Sequence, residues 1–315
     1  MSLSSRKEGF DILASRFTND RPNNLILSYK PSASATKKLQ LATCLYISKT
    51  IGNDICITDE TELLKTLNKH YDNIPNITPN GLIVPKRHLV IEYNLLVSAF
   101  INIVNELNIN DLISSWHVPL NLRYKQGEVN QANMTRHHPT EHIHSDSWAG
   151  ESTESVTIMV PIFGDTAHNR VKYYKPPNSF QEEWLGPLPS YKDGKKYAEQ
   201  YTDIDFIAPK SNLILADFAT LHASHRNSDA KDRISIDTTF VLKKPGDYRE
   251  PEKIHEWREG ERANPDDLVN LGSNQLLYFP DRNDEWVDSQ GGFKHPSNLQ
   301  MVDLYESIRL TNNSA

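Results

Sequence analysis

The segment HVPLNLRY, residues 117–124, is where the spacing of apolar side chains changes from the period of a helix to that of a strand. Apolar residues stand at every second position from Val118 to Tyr124, with Asn121 and Arg123 between them. Successive side chains of a β-strand point to opposite faces, so this alternation predicts a half-buried strand. Further strand candidates follow, separated by stretches rich in Gly, Pro, Asn and Asp: SVTIMVPIF (155–163), RVKYY (170–174), SNLILADF (211–218) and RISIDTTFVL (233–242). Residues 117–245 are therefore predicted to form an all-β core of the sandwich or barrel kind.

The chain before this core has helical spacing of its apolar residues. The segments that predict helices are KKLQLATCLYISKTI (37–51), DETELLKTLNKHY (59–71) and IEYNLLVSAFINIVNELNINDLI (91–113). Residues 1–116 are accordingly predicted to be a mainly helical support region. We treat residues 1–315 as a single domain that is mainly β with flanking helices. Residues 246–315 are expected to be a polar C-terminal extension, with a helix at 251–271.

A long polar and aromatic segment, PPNSFQEEWLGPLPSYKDGKKYAEQYTDID (176–205), separates two of the strand candidates. It is too long for a tight turn, and loops of this length are usually functional or mobile. Two interpretations stay open for this insert: a lid over a binding site, or an excursion that only packs on the core.

Composition narrows the classes of function. The chain of 315 residues is 37% hydrophobic and 24% charged, with a formal net charge of −7. It has no general attraction to nucleic acid or anionic lipid, and no apolar run long enough for a membrane span. Its two cysteines are too few for a disulfide framework, and its first residues lack the apolar region of a secretory signal. We expect a cytoplasmic protein without nucleic-acid or membrane partners, and a homodimer is left open.

The segment EHIHSDSW, residues 141–148, holds two histidines and an aspartate at alternate positions. On a strand, His142, His144 and Asp146 would share one face, and such a face can bind a metal ion. A second group lies downstream, where His222 is followed by Arg233 and then Ser235. Arg233 and Ser235 would point into the core from one strand. An inward arginine needs an anionic partner, because an unpaired buried charge is very costly.

In this order, His144-Ser-Asp146, a long gap, His222 and then Arg233-Ile-Ser235 resemble the pattern of the Fe(II)- and 2-oxoglutarate-dependent oxygenases. The resemblance covers roughly residues 118–242, and HIHSDSWAGES is similar to the phytanoyl-CoA hydroxylase-like and streptomycin-pathway branches. It implies that the core is a double-stranded β-helix, a jelly-roll of cupin-like form.

The resemblance also implies roles for individual residues. The catalytic metal ligands would be His144, Asp146 and His222, holding Fe(II), while Arg233 and Ser235 bind the distal carboxylate of 2-oxoglutarate. Oxidation of a C–H bond by O₂, most simply hydroxylation, would then accompany conversion of 2-oxoglutarate to succinate and CO₂. Because residue 146 is Asp rather than Gly or Ala, the resemblance argues against halogenation.

Other side chains are candidates for binding the cosubstrate or the substrate. Asn121 is expected to bind the cosubstrate, and the substrate-binding candidates are Trp148, Arg123, Lys172 and Tyr174. These residue types favour a small polar or anionic metabolite, possibly derived from a sugar or an amino acid.

Two alternatives for the ligand set follow from the same residues. A cupin-type metal site would use His142, His144, a later carboxylate and His222, either in an enzyme or in a non-catalytic ligand-binding jelly-roll. We prefer the set with Asp146, since Arg233 has no role in the cupin version. His225 is a second candidate for the third ligand in place of His222.

Overall fold

The computed structural model describes residues 2–74, 77–83, 85, 87–118, 120–129, 134–243, 262–263, 275–278 and 300–303, which form mainly β-sheet with flanking helices. The helices are α1 (Leu3–Ala14), α2 (Ala33–Thr50), α3 (Glu60–His70), α4 (Val90–Asn105) and α5 (Lys195–Ala198). The strands are β1 (Asp20–Asn23), β2 (Ile26–Tyr29), β3 (Leu82–Ile83), β4 (Ile113–His117), β5 (Asn121–Lys125), β6 (Ser155–Gly164), β7 (Asn169–Lys175), β8 (Thr202–Ile204), β9 (Leu213–Asp217), β10 (Leu221–Arg226), β11 (Arg233–Leu242), β12 (Arg262–Ala263), β13 (Gln275–Tyr278) and β14 (Gln300–Asp303).

A nine-stranded antiparallel sheet is the centre of the molecule, with the strand order β1-β2-β9-β6-β11-β4-β12. β5 also pairs with β11, beyond the end of β4, and β3 pairs with β5. A smaller antiparallel sheet has the order β10-β7-β8, and β13 pairs with β14. Met159 and Ile214 of the large sheet pack with Tyr173 of the small sheet in one apolar cluster, so the two sheets face each other.

The other face of the large sheet packs against the N-terminal helices. Ile158 and Leu215, whose neighbours Met159 and Ile214 face the small sheet, join the main apolar cluster together with Phe10 of α1. Because β6 and β9 are covered on both faces, their sequences are apolar runs rather than strict alternations, whereas the first half of β11 alternates polar and apolar residues. In α4 the apolar side chains of Leu96, Phe100 and Ile103 are fully buried, whereas Leu95 is 46% exposed.

The helix boundaries show where local sequence decides the structure. Asp59 caps α3, since its carboxylate accepts a hydrogen bond from the backbone N–H of Glu62 at 2.9 Å. The helix predicted at 91–113 ends at Asn105, because Asn108 takes a left-handed backbone conformation (φ 52°) and Ile113 already begins β4. The expectation of helix over 106–113 is therefore wrong.

Several strands depart from the sequence-based expectation. The support region is not only helical, because β1, β2 and β3 lie in it. HVPLNLRY forms two strands rather than one: β4 ends at His117 and β5 begins at Asn121, on either side of a proline that has no N–H for a sheet. Arg262 and Ala263, predicted as helix, form β12 beside β4; the rest of the predicted 251–271 helix lies outside the described residues. Among the helices described, none is long and apolar enough to cross a membrane.

Candidate metal centre

Backbone hydrogen bonds place His144 directly opposite His222. The N–H of His144 donates to the carbonyl of His222 at 2.9 Å, and the N–H of His222 donates back to the carbonyl of His144 at 2.8 Å. His222 lies on β10, whereas His144 forms only this isolated bridge. We expected Asp146 to continue a strand from His144, but this expectation is wrong, because Asp146 begins a 3-10 helix, Asp146–Ala149. This turn brings the carboxylate back to the two imidazoles.

The three side chains converge on one point. Their potential ligand atoms all lie within 4.8 Å of one another. The Asp146 carboxylate is 3.6 Å from His144 Nε2 and 3.8 Å from His222 Nε2, separations that one ion can bridge with bonds of about 2 Å.

The orientation of His144 leaves one ring nitrogen for a metal. Nδ1 lies 2.7 Å from the carbonyl oxygen of His142, which can only accept, so Nδ1 carries the proton. Nε2 is buried and has no hydrogen-bond partner among the residues that the structure describes. A buried imidazole nitrogen with a free lone pair, facing a carboxylate and a second imidazole, fits a metal ion, and the Nδ1 contact fixes the tautomer that such a ligand needs.

The protonation states also fit a metal centre. Burial, and then the neighbouring His144, lower the pKa of His222 to about 4, so its imidazole is neutral at physiological pH. Burial alone would raise the pKa of Asp146, but His222, His144 and Arg123 together hold it well below its usual range. The site therefore presents a neutral imidazole and a carboxylate, as metal binding requires.

The structure distinguishes the three ligands from the alternative histidines. Within the described part of the chain, the cluster contains neither His142 nor His225. His142 contributes its backbone carbonyl, and His225 is exposed on the face of β10 opposite to His222.

A small cavity of about 60 Å³ between the two sheets adjoins the three ligands. Its lining includes side chains from both sheets: the charged groups of Arg123, Lys125, Arg233 and Asp237, together with Tyr173 and Ser235.

Arg233 is a buried cation without a counter-ion in the described part of the chain. Its residue is 2% exposed, its Nε has no hydrogen-bond partner, and no carboxylate among the residues that the structure describes pairs with it. Burial, and then the nearby Arg226, lower the pKa of Arg233 to about 10, so it is still charged at neutral pH. Ser235, two residues along β11, lines the same cavity. The cavity therefore has a place for an anion beside the metal ligands.

Lys125 is a second cation in the cavity lining, beside Arg233, and it was not among the residues predicted from the sequence. It pairs with Arg233 in the register of β5 and β11 and is 3% exposed. Its Nζ donates to Thr140 Oγ1 at 2.7 Å and lies 3.5 Å from Glu141, which also pairs with Arg226 at 3.0 Å. Burial lowers the pKa of Lys125 to about 7. The signal for it was present: Lys125 stands two residues after Arg123 on the same strand face.

Arg123 and Asn121 are held by one carboxylate. Arg123 donates from Nε to Asp237 Oδ1 at 2.6 Å and from Nη2 to Oδ2 at 3.2 Å, and the Asn121 amide donates to Oδ2 at 2.9 Å. Arg123 lines the cavity, but Asn121 does not, since its amide is engaged by Asp237. Asp237 thus neutralises and orients Arg123 and leaves Arg233 unpaired.

The structure places the other predicted substrate residues outside this cavity. Lys172 points outward to Asp203 Oδ2 at 2.6 Å, and Tyr174 packs in the cluster around Trp148. Their neighbours Val171 and Tyr173 line the cavity instead. Alternation along β7 does not show which face is inward, because Tyr174 on the outer face also packs against residues of the insert 176–205.

Trp148 is likewise a packing residue in the structure. It is 1% exposed, and its indole N–H donates to the carbonyl of Trp184 in the insert at 2.7 Å. A continuous strand would have placed Trp148 on the same face as Asp146, but the 3-10 turn directs its side chain toward the insert. An insert residue, Tyr191, reaches the metal centre instead: its ring stacks on the His144 ring with centroids 4.1 Å apart. Tyr191 is 47 residues from His144 in the sequence, so local sequence patterns could not predict this contact.

Comparisons with known proteins give distant structural likenesses only. No protein-family model and no curated protein matches the chain. The non-heme alpha-ketoglutarate-dependent epimerase SnoN from nogalamycin biosynthesis is 12% identical, covers 74% of this chain and 83% of its own, and has a TM-score of 0.38. EctD from S. alaskensis, with bound Fe, is 17% identical with coverages of 84% and 86% and a TM-score of 0.40. The non-heme monooxygenase ThoJ is 16% identical with coverages of 77% and 89% and a TM-score of 0.36. These values are low, so the function rests on the side chains of this chain.

Proposed function

We propose that this chain is an Fe(II)- and 2-oxoglutarate-dependent oxygenase whose two facing sheets are a double-stranded β-helix. The observation that carries the proposal is the meeting, in one cavity, of a two-histidine, one-carboxylate cluster and a buried arginine that has no counter-ion among the described residues. Neither feature alone identifies the reaction. Together they match a metal ion and a cosubstrate that has one end for the metal and an anionic group at the other.

The ligand set favours iron. Two imidazoles and one carboxylate on one face of an octahedral ion leave positions open, the arrangement of non-haem Fe(II) oxygenases. A structural zinc site would instead close its coordination with a fourth protein ligand. Among the residues that the structure describes, this cluster contains His144, Asp146 and His222 and no fourth His, Cys, Asp or Glu.

The cations of the cavity favour a cosubstrate with a second carboxylate, remote from the one near the metal. Arg233 has a planar fork of N–H donors that can bind a carboxylate through two hydrogen bonds, and Ser235 adds a hydroxyl on the same face. Lys125 stands beside Arg233 and shares Glu141 with Arg226, so it too can turn toward a bound anion. With Fe(II) and 2-oxoglutarate bound, the site supplies oxidation of a C–H bond by O₂ with release of succinate and CO₂.

We infer that the substrate is a small polar or anionic metabolite and that hydroxylation is the outcome. Arg123 supports this inference, since it lines the cavity near Asp146 and is held in a fixed orientation by Asp237. The insert 176–205 is proposed to cover the site. The cytoplasmic location and the oligomeric state stay predictions from the sequence.

The test is turnover of 2-oxoglutarate by the protein supplied with Fe(II), ascorbate and O₂, with succinate measured by NMR. We expect slow succinate formation without added substrate, faster formation with the right metabolite, and loss of both in His222→Ala. His225→Ala is the matched control, because His225 lies three residues further on the same strand but is exposed; this variant should keep full activity. Succinate formation in His222→Ala at the wild-type rate would exclude the proposed centre.

A further inference from the structure

The insert 176–205 contributes one residue, Tyr191, to the metal centre itself. The Tyr191 ring lies nearly parallel to the His144 imidazole, with centroids 4.1 Å apart and an interplanar angle of 18°. Tyr191 is 4% exposed, and the ring of His138 meets it edge-on at 4.8 Å. The tyrosine is therefore held between two imidazoles, and one of them is a metal ligand.

The insert is fastened at several points around Tyr191. The backbone N–H of Tyr191 donates to the carbonyl of His137 at 2.9 Å, and the N–H of Leu188 donates to the carbonyl of Trp148 at 2.9 Å. Trp148 in turn donates its indole N–H to Trp184 at 2.7 Å. Gly194 packs so closely on Trp148 that a Cβ there would lie 2.2 Å from the indole. These contacts join the insert to the 3-10 turn that carries Asp146.

A second fastening ties the insert to the N-terminal helix. Arg6 of α1 is buried and forms ion pairs with Glu182 of the insert and with Asp217 of β9, the latter at 2.8 Å. Thr153 is a third partner, since Arg6 Nη2 donates to its carbonyl oxygen at 2.7 Å. The insert is thus attached by buried charge as well as by aromatic packing, and Tyr191 has a defined position rather than a place on a loose loop.

The position of Tyr191 has a consequence for His144. The Nδ1–H hydrogen bond to His142 at 2.7 Å fixes one atom of the ring but leaves rotation about that contact. A parallel aromatic ring against its face removes this freedom. We propose that Tyr191 is a positioning residue of the metal centre, which holds the plane of His144 so that Nε2 faces Asp146 and His222.

This inference rests on the proposed function, because it needs a metal at the three ligands. It differs from simple core packing in what it predicts. A residue that only fills space affects folding, whereas a residue that aligns a ligand affects the affinity and geometry of the bound metal in protein that is already folded.

The experiment titrates Co(II) into the full-length apo-protein without cosubstrate or O₂, and records the visible d–d spectrum and the dissociation constant. The variants are Tyr191→Leu, Tyr191→Phe and, as a matched control, Tyr197→Leu. Tyr197 belongs to the same insert and stacks on Trp184, with centroids 5.5 Å apart, rather than on His144. Circular dichroism and urea unfolding establish that each variant is folded.

We expect Tyr191→Leu to weaken Co(II) binding about 10- to 100-fold, the usual effect of losing a partner that orients a metal-bound histidine, and to change the spectrum at saturating metal. Tyr191→Phe keeps the stacked ring and should bind as the wild type does, as should Tyr197→Leu. Wild-type affinity and spectrum in Tyr191→Leu, or an equal loss in Tyr197→Leu, overturn the inference while the proposed function stands.

Two further outcomes are decisive. If the wild type binds no Co(II), the proposed function itself fails. If Tyr191→Leu does not fold, Tyr191→Met, which fills more of the space without a planar ring, takes its place in the titration. Should neither variant fold, Tyr191 is a core residue and the inference is overturned.

Discussion

Replacing Arg233 by methionine is expected to have opposite effects on the stability of the apo-protein and on its affinity for 2-oxoglutarate. The guanidinium is buried, charged and without a counter-ion in the described structure, so it opposes folding until an anion binds. Methionine fills a similar volume without the charge. The variant should therefore be more stable than the wild type when empty and bind the cosubstrate more weakly.

The pKa of Arg233 gives the size of the first effect. Burial, and then Arg226, lower that pKa from 12.5 to about 10, which corresponds to about 3 kcal/mol at 1.36 kcal/mol per pH unit. Replacement of buried charge by apolar groups stabilises other proteins by about 1–4 kcal/mol, which agrees. For the second effect, removing one partner of a buried ion pair costs about 3–5 kcal/mol, which weakens binding by roughly two to almost four powers of ten.

Urea unfolding of the apo-protein measures the first effect, and anaerobic titration with 2-oxoglutarate in the presence of Fe(II) measures the second. Arg226→Met is the control, because Arg226 is also buried but pairs with Glu141 at 3.0 Å; this variant should lose stability. The reasoning is refuted if Arg233→Met unfolds at lower urea than the wild type, since the guanidinium would then have a stabilising partner. It is equally refuted if cosubstrate affinity does not change.

Three further predictions concern other parts of the structure. Because burial lowers the pKa of Lys125 to about 7, its charge is lost as pH rises through 7, and the dissociation constant for 2-oxoglutarate should rise above pH 7 by at most about tenfold per pH unit; isothermal titration should show this slope flattened in Lys125→Met. Gly194→Ala places a Cβ 2.2 Å from the Trp148 indole and should lower the free energy of unfolding by about 1–3 kcal/mol, whereas Gly9→Ala, whose Cβ meets only an ordinary contact at 3.5 Å, should not destabilise; urea midpoints compare them. Arg6→Met leaves two carboxylates near a buried site without their cation and should cost about 3–5 kcal/mol in the same assay, and an unchanged midpoint would show that this network is not stabilising.

The sequence was informative where chemistry and strand parity agree. His144, Asp146 and His222 were identified in order because imidazoles and a carboxylate at these spacings have few other common uses. Arg233 was identified because a cation that points into the core from a strand needs an anionic partner. The structure brings these four residues to one cavity, although Asp146 arrives there by a 3-10 turn rather than along a strand.

What the sequence did not predict depends on contacts between distant segments. Lys172 and Tyr174 were candidates for binding substrate, but alternation along β7 does not show which face is inward, because the insert packs on the outer face as well. Tyr191 was missed because nothing local links it to His144. Lys125 was overlooked because most lysines are exposed and the sequence does not show which are buried. Its burial follows from the pairing of β5 with β11.

The most direct test of the central claim is anaerobic titration of the apo-protein with Fe(II) and 2-oxoglutarate, following the metal-to-ligand charge-transfer absorption that forms when the cosubstrate chelates the iron. We predict that the band appears in the wild type and is absent in His144→Ala. Iron binding by the wild type without this band, or no iron binding at all, would contradict the assignment of the cavity to Fe(II) and 2-oxoglutarate.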